Sequence, residues 1–85
     1  MTLADPKKVL IVDDSKMMRV LLARVVKSDA SFEVAGEAEN GQVALDCLAE
    51  TAIDLVLLDI EMPVMDGVEA LRQIRLKHNV KVIIV

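Results

Sequence analysis

Residues 9–14 read VLIVDD, and residues 55–59 read LVLLD. Each segment is an uninterrupted run of aliphatic residues that ends in aspartate. Continuous aliphatic runs of this length are typical of strands buried on both faces, as in the centre of a parallel sheet. The two segments therefore predict two central strands, residues 7–12 and 54–59, with carboxylates at their carboxyl ends.

The period of the apolar residues changes between these strands. A helix is predicted after Ser15, with Asp14 or Ser15 as its N-cap. Its apolar face would contain Met18, Leu21, Leu22, Val25 and Val26, and its polar face Lys16, Arg19, Arg24 and Lys27. A second helix is predicted from Gly41 to about Thr51, and a third opens at Asp66-Gly67 and runs through Ile74.

Two further strands complete the pattern. Residues 32–36 alternate large and small side chains and predict a strand at a sheet edge, whereas residues 80–85 form another aliphatic run. The order β-α-β-α-β-α-β predicts an α/β fold with a doubly wound parallel sheet, right-handed crossovers and helices on both faces.

The amino-acid composition of the chain limits the kinds of function that it can have. The chain has 85 residues, which allows one domain, and 54% of them are hydrophobic. The formal net charge of −4 and the single aromatic residue, Phe32, argue against a nucleic-acid partner. The single cysteine, Cys47, favours a buried core position in a reducing, cytoplasmic setting. The sequence shows neither a signal peptide nor an apolar run long enough to span a membrane.

Three aspartates mark the carboxyl ends of the two central strands. Ligands of open α/β sheets collect at that edge, so Asp13, Asp14 and Asp59 are expected to share one shallow pocket. Carboxylates crowded together are stabilised by a hard cation, and oxygen ligands suit Mg²⁺ or Mn²⁺ better than zinc. The alternative is that Asp13-Asp14 and Asp66 simply cap the helices that follow them.

Two segments resemble the signature motifs of response-regulator receiver domains. They are residues 9–15, VLIVDDS, and residues 57–67, LLDIEMPVMDG. The resemblance covers the chain from Lys7 to Val85 and includes Asn40-Gly41 before the second helix. It implies a flavodoxin-like sheet with the strand order 2-1-3-4. The amino-acid sequences of both motifs are most similar to those of the chemotaxis branch, especially the receiver of a protein-glutamate methylesterase.

The resemblance also implies a role for each site residue. Asp59 would accept a phosphoryl group from a sensor histidine kinase, as the regulatory step of a two-component system. Asp14 would bind Mg²⁺ directly and Asp13 mainly through water, and the backbone carbonyl of Glu61 would complete the protein ligands. Pro63 and Gly67 would shape the loop. A methylesterase output domain, which would be the enzyme, would lie outside this chain.

The chain departs from the family pattern at its carboxyl end. Family receivers have five β/α units, with a Ser or Thr after strand four and a Lys after strand five, both of which contact the phosphoryl group. Neither is present up to Val85, and His78 and Lys81 do not match these roles. We therefore expect one partial receiver domain, residues 1–85 with an extension at residues 1–6, which is either a fragment or a minimal half-domain. We also expect phosphorylation to be impaired, because neither of these two contacts to the phosphoryl group would be available.

Two rival functions follow from the same residues. A haloacid-dehalogenase-like phosphatase also uses an aspartate at a strand end, but it places a second aspartate where this chain has Glu61. The other rival is a non-signalling module that forms a homodimer through strand four, because its β-branched residues would make an adhesive edge.

Overall fold

The computed structural model describes residues 5–60 and 67–85, and within them the chain alternates four strands with three helices. The elements are β1 (Lys7–Val12), α1 (Lys16–Lys27), β2 (Phe32–Ala38), α2 (Gly41–Glu50), β3 (Leu55–Leu58), α3 (Gly67–Lys77) and β4 (Lys81–Ile84). All strand pairs are parallel, in the order β2-β1-β3-β4. The predicted α/β fold and strand order are confirmed, and β2 lies at an edge as expected.

The central strands β1 and β3 end at the same level of the sheet. Val12 pairs with Leu58, and the amide of Asp59 donates a hydrogen bond to the carbonyl of Val12 (2.9 Å). On the other side of β1, the amide of Asp13 donates to the carbonyl of Ala38 (3.0 Å). These bonds continue the sheet by one residue and fix where the aspartates emerge.

The sheet separates two apolar clusters. One face carries a core shared by α2 and α3, in which Leu10, Val12, Val56, Leu58 and Ile74 are fully buried. The opposite face carries a smaller cluster of Val9 and Ile11 against α1. The side chains of Leu55 and Leu57 on that face are only half-buried, so β3 is not buried on both faces as its sequence predicted.

Helix α1 begins as predicted but presents a different face to the sheet. Its N-cap is Ser15, whose hydroxyl accepts a hydrogen bond from the amide of Met18 (3.3 Å). Only Ala23 and Val26 are buried, whereas Leu21 and Val25 of the predicted apolar face are exposed. The contact stripe is narrow, and it packs mainly on β1 and β2. Among the described residues, no helix combines the length and apolar content needed to cross a bilayer.

A bulge in β2 sets which face its last residues occupy. Val9 pairs with Val34, but Leu10 pairs with Gly36, so Ala35 is an extra residue in the strand. A Cβ atom at Gly36 would lie 3.3 Å from Leu10 Cδ1, so a larger residue here would require the leucine side chain to shift by a few tenths of an ångström. After the bulge, Glu37 pairs with Ile11. Because paired residues of a parallel ladder share a face, Glu37 lies on the same side of the sheet as α1.

Candidate functional site

The carboxyl edge of the sheet brings three carboxylates together. Asp13, Asp14 and Asp59 each offer one oxygen, and these oxygens lie within 4.8 Å of one another. The convergence follows from the matched ends of β1 and β3. The structure thus places the three predicted residues in one site, while the role of each stays a prediction.

The three side chains differ in their access to solvent. Asp13 is buried, at 5% exposure, and its Oδ1 accepts a hydrogen bond from the amide of Ser15 (2.9 Å). Asp14 is exposed and Asp59 is half-buried. Asp13 is therefore the most deeply buried of the three, and Asp59 is partly accessible from solvent.

Burial and like charge act together on Asp13. Its burial raises the pKa of the carboxyl above its ordinary value, and the negative charges of Asp59 and Asp14 raise it further. The hydrogen bond from the Ser15 amide opposes these effects but does not outweigh them. The ionised form of Asp13 is therefore held in this site at a cost in folding free energy.

The donor set fits a hard divalent cation. All three groups are carboxylates, and the site is open enough on the Asp14 side for water ligands. Oxygen-only sites of this kind suit Mg²⁺ and Mn²⁺, which keep part of their hydration shell. A cation would also relieve the repulsion that raises the pKa of Asp13.

Part of the predicted site falls on residues 61–66, which lie outside the described residues. The predicted carbonyl ligand of Glu61, the loop-shaping role of Pro63 and the N-cap role of Asp66 are among these and stay predictions. Gly67 is the first residue of α3, as the sequence predicted.

The residue that the sequence did not single out is Arg19. It was assigned to the solvent face of α1, yet its side chain is only 15% exposed. Its Nη1 donates to the backbone carbonyl of Asp13 (2.6 Å), and its Nε donates to Glu37 Oε1 (3.2 Å). The assignment was wrong because the guanidinium reaches acceptors on two other parts of the chain, the carbonyl of Asp13 and the carboxylate of Glu37, which the periodicity of one helix does not reveal. The spacing of Arg19 one turn after the N-cap was the available signal.

We expect Asp13→Asn to stabilise the metal-free chain at neutral pH. Asparagine keeps an acceptor for the Ser15 amide but removes the buried charge. Because the pKa of Asp13 is higher in the folded state than in the unfolded state, ionisation of Asp13 destabilises the fold. This destabilisation is absent below the unfolded-state pKa, grows as the pH rises between the two pKa values, and is complete above the folded-state pKa. Thermal unfolding without divalent cations should show the Asn variant melting about 2–8 °C higher at neutral pH. The difference should shrink on acidification, and a gain that persists at acid pH would contradict this account.

Comparison with known sequences identifies related proteins over nearly the whole chain. Residues 9–85 match the family model described as the response regulator receiver domain. A protein-glutamate methylesterase/protein-glutamine glutaminase of Rhodospirillum centenum is 42% identical over 94% of this chain and 21% of its own length. The corresponding enzyme 1 of Syntrophomonas wolfei is 46% identical over 92% of the chain and 22% of its own length. The chain thus spans about a fifth of these relatives.

Solved structures agree with the sequence matches. The response regulator domain of CheB from Thermotoga maritima superposes with a TM-score of 0.89 at 38% identity, covering 93% of this chain and 59% of that one. CheY6 of R. sphaeroides, solved with the P1 domain of CheA3, superposes with a TM-score of 0.81 at 49% identity, covering 95% of this chain and 64% of that one. TrrA of T. maritima, solved in complex with Mg²⁺-BeF, superposes with a TM-score of 0.83 at 39% identity, covering 92% of this chain and 67% of that one.

Proposed function

Because the chain belongs to the response regulator receiver domain family, we propose that it accepts a phosphoryl group on Asp59 as the input step of a two-component signal. The observation that carries the proposal is the cluster of Asp13, Asp14 and Asp59 at the carboxyl edge of the sheet. Of the three, Asp59 combines a fixed backbone with a half-buried, reachable side chain.

The proposed reaction is a nucleophilic displacement at phosphorus. A carboxylate oxygen of Asp59 forms a bond to phosphorus as the donor's P–N bond, or P–O bond of a small donor, breaks. The electron pair of the broken bond leaves with the donor atom, and a proton from water neutralises it. Asp59 is suited to this role because the hydrogen bond between its amide and Val12 fixes its backbone beside Asp13.

Asp13 and Asp14, with Asp59, are the side chains that would hold Mg²⁺, and Mn²⁺ should serve in its place. The bound ion would offset the negative charge that gathers on the phosphoryl oxygens. Asp13 would bind the ion from its buried position, whereas the exposed Asp14 leaves room for water on the ion.

We propose a sensor histidine kinase as the phosphoryl donor. Support comes from the relatives: CheY6 is solved with the P1 domain of CheA3, and TrrA with the histidine kinase ThkA. The similarity to methylesterases suggests a chemotaxis output. The single cysteine fits a reducing compartment, so we place the module in the cytoplasm.

The proposal is tested by phosphoryl labelling of the chain. With acetyl phosphate and Mg²⁺, intact-mass measurement should show the addition of one phosphoryl group, and the label should be lost at alkaline pH as acyl phosphates are. Replacing Mg²⁺ by Mn²⁺ should preserve labelling, whereas a chelator should abolish it. Labelling of the same extent in the presence of the chelator would contradict a role for the carboxylate cluster.

The edge of β4 favours a second candidate activity, self-association of the 85-residue polypeptide. Ile83 and Ile84 of β4, and Val85 directly after it, are each about half exposed, and the pairing partner of β4 in the sheet is β3. Open strand edges with apolar, β-branched residues pair readily with other strands. We propose that two copies pair antiparallel through β4 about a two-fold axis.

We expect sedimentation equilibrium of this polypeptide to show a mass that rises with concentration towards that of a dimer. The double variant Ile83→Lys with Ile84→Lys should remain monomeric, because it charges the exposed edge. Val82 is left unchanged since it packs against the core. A folded monomer at every concentration, for both proteins, would rule out this mode of association.

A further inference from the structure

Arg19 connects three parts of the molecule that meet at the carboxylate cluster. It lies in the first turns of α1, its Nη1 binds the carbonyl at the end of β1, and its Nε binds a carboxylate near the end of β2. These contacts use two different guanidinium nitrogens, so the planar group is held in one orientation. At 15% exposure the side chain is largely removed from solvent.

The bulge in β2 is what makes this arrangement possible. Without the extra residue at Ala35, the pairing of Val9 with Val34 would continue so that Glu37 lay opposite Val12. Val12 belongs to the core on the α2 and α3 face. The bulge instead places Glu37 opposite Ile11, on the α1 face, where Arg19 reaches it.

The carbonyl that Arg19 binds belongs to a residue of the cluster itself. Asp13 is held from three directions: its amide donates to Ala38, its side chain accepts from Ser15, and its carbonyl accepts from Arg19. The peptide plane that carries this carbonyl also carries the amide of Asp14. Fixing that plane therefore fixes the position of the Asp14 Cα atom, from which its side chain leaves the backbone.

We propose that Arg19 is a positioning residue for the divalent-cation site, acting through the backbone of Asp13 and Asp14. The inference rests on the proposed function, because it assumes that these carboxylates bind a cation. Arg19 itself would not contact the cation. The bulge in β2 and Glu37 contribute because they hold the Arg19 guanidinium in place.

A positioning role and a purely electrostatic role of Arg19 predict opposite effects of its removal on cation binding. A guanidinium close to the cluster repels a cation, so removing its charge would strengthen cation binding if charge alone mattered. If Arg19 acts by orientation, removing it weakens binding in spite of the lost repulsion. Residues that orient metal ligands change metal affinity by about 10- to 100-fold when replaced.

The experiment is a Mn²⁺ titration of the 85-residue chain by isothermal calorimetry, with far-UV circular dichroism to establish that each variant is folded. We expect Arg19→Met to weaken Mn²⁺ binding about tenfold. Arg19→Lys should also weaken it, because one ammonium group retains the charge but cannot bind the Asp13 carbonyl and Glu37 in the same fixed geometry. Arg24→Met is the matched control, since Arg24 is an exposed arginine of the same helix and its loss should leave the affinity unchanged.

A second variant keeps the inference testable if Arg19→Met does not fold. Glu37→Gln leaves Arg19 in place but removes the ion pair that orients it, and Glu37 is 44% exposed, so the fold should tolerate the change. It should weaken Mn²⁺ binding by a smaller factor, and the amide signals of Asp14 and Ser15 should shift in the metal-free NMR spectrum. Neither effect is expected for Arg24→Met.

The outcomes separate this inference from the function on which it rests. Saturable binding by the unchanged chain, with equal or tighter binding in the Arg19 and Glu37 variants, would overturn the positioning role alone. Failure of the unchanged chain to bind Mn²⁺ at all would overturn the proposed cation site and the positioning role together.

Discussion

Asp59→Asn is expected to abolish phosphoryl labelling by acetyl phosphate. The amide side chain has nearly the same shape as the carboxylate, so β3 and the hydrogen bond from the backbone amide of residue 59 to Val12 should be preserved. It lacks the anionic oxygen that is proposed to attack phosphorus, and it removes one of the three charges proposed to bind the cation. The expected result is a complete loss of the added phosphoryl mass with an unchanged circular dichroism spectrum.

The matched control lies at the other end of the same strand. Asp54 precedes β3, and its carboxylate accepts a hydrogen bond from the amide of Lys8 (2.8 Å), at the edge of the sheet opposite the cluster. Asp54→Asn makes the same chemical change there and should leave labelling intact. If Asp59→Asn retained the label, peptide mapping would identify the true acceptor, and the assignment of Asp59 would be wrong.

The fold and the convergence of the carboxylates were predictable because both depend on patterns longer than one element. The two aliphatic runs that end in aspartate identify the central strands β1 and β3, and alternation with helices makes the sheet parallel. Once β1 and β3 are neighbours, the sheet geometry alone brings the aspartates that follow them to the same edge. Nothing about individual side-chain packing is needed for that step.

The details around the cluster were not predictable from the same patterns. Helical periodicity assigns Arg19 to solvent and Val25 to the core, whereas Arg19 is largely buried and Val25 is 67% exposed. Which stripe of an amphipathic helix is covered depends on where the helix crosses the sheet, and that position is a tertiary property. The bulge at Ala35 likewise has no periodic signal, although it decides which face Glu37 occupies.

Ile74→Ala is expected to destabilise the fold more than any surface change proposed above. Ile74 is the large side chain through which α3 enters the core, and it is fully buried together with Ala70. Truncating a buried isoleucine removes apolar contacts and leaves a cavity, at a cost of about 2–5 kcal/mol. Domains of this size have total stabilities near the lower end of about 5–15 kcal/mol, so the variant should be close to its unfolding midpoint at 25 °C.

The same helix supplies the control. Leu76 lies two residues further along and is 71% exposed, so Leu76→Ala should change the free energy of unfolding by no more than about 0.5 kcal/mol. Urea denaturation followed by circular dichroism measures both values. The distinction also bears on function, because the carboxylate cluster proposed to accept the phosphoryl group exists only in the folded chain. Partial unfolding in Ile74→Ala should therefore reduce phosphoryl labelling in proportion to the unfolded fraction. Equal stability of the two variants would instead mean that α3 packs on the sheet through a different face.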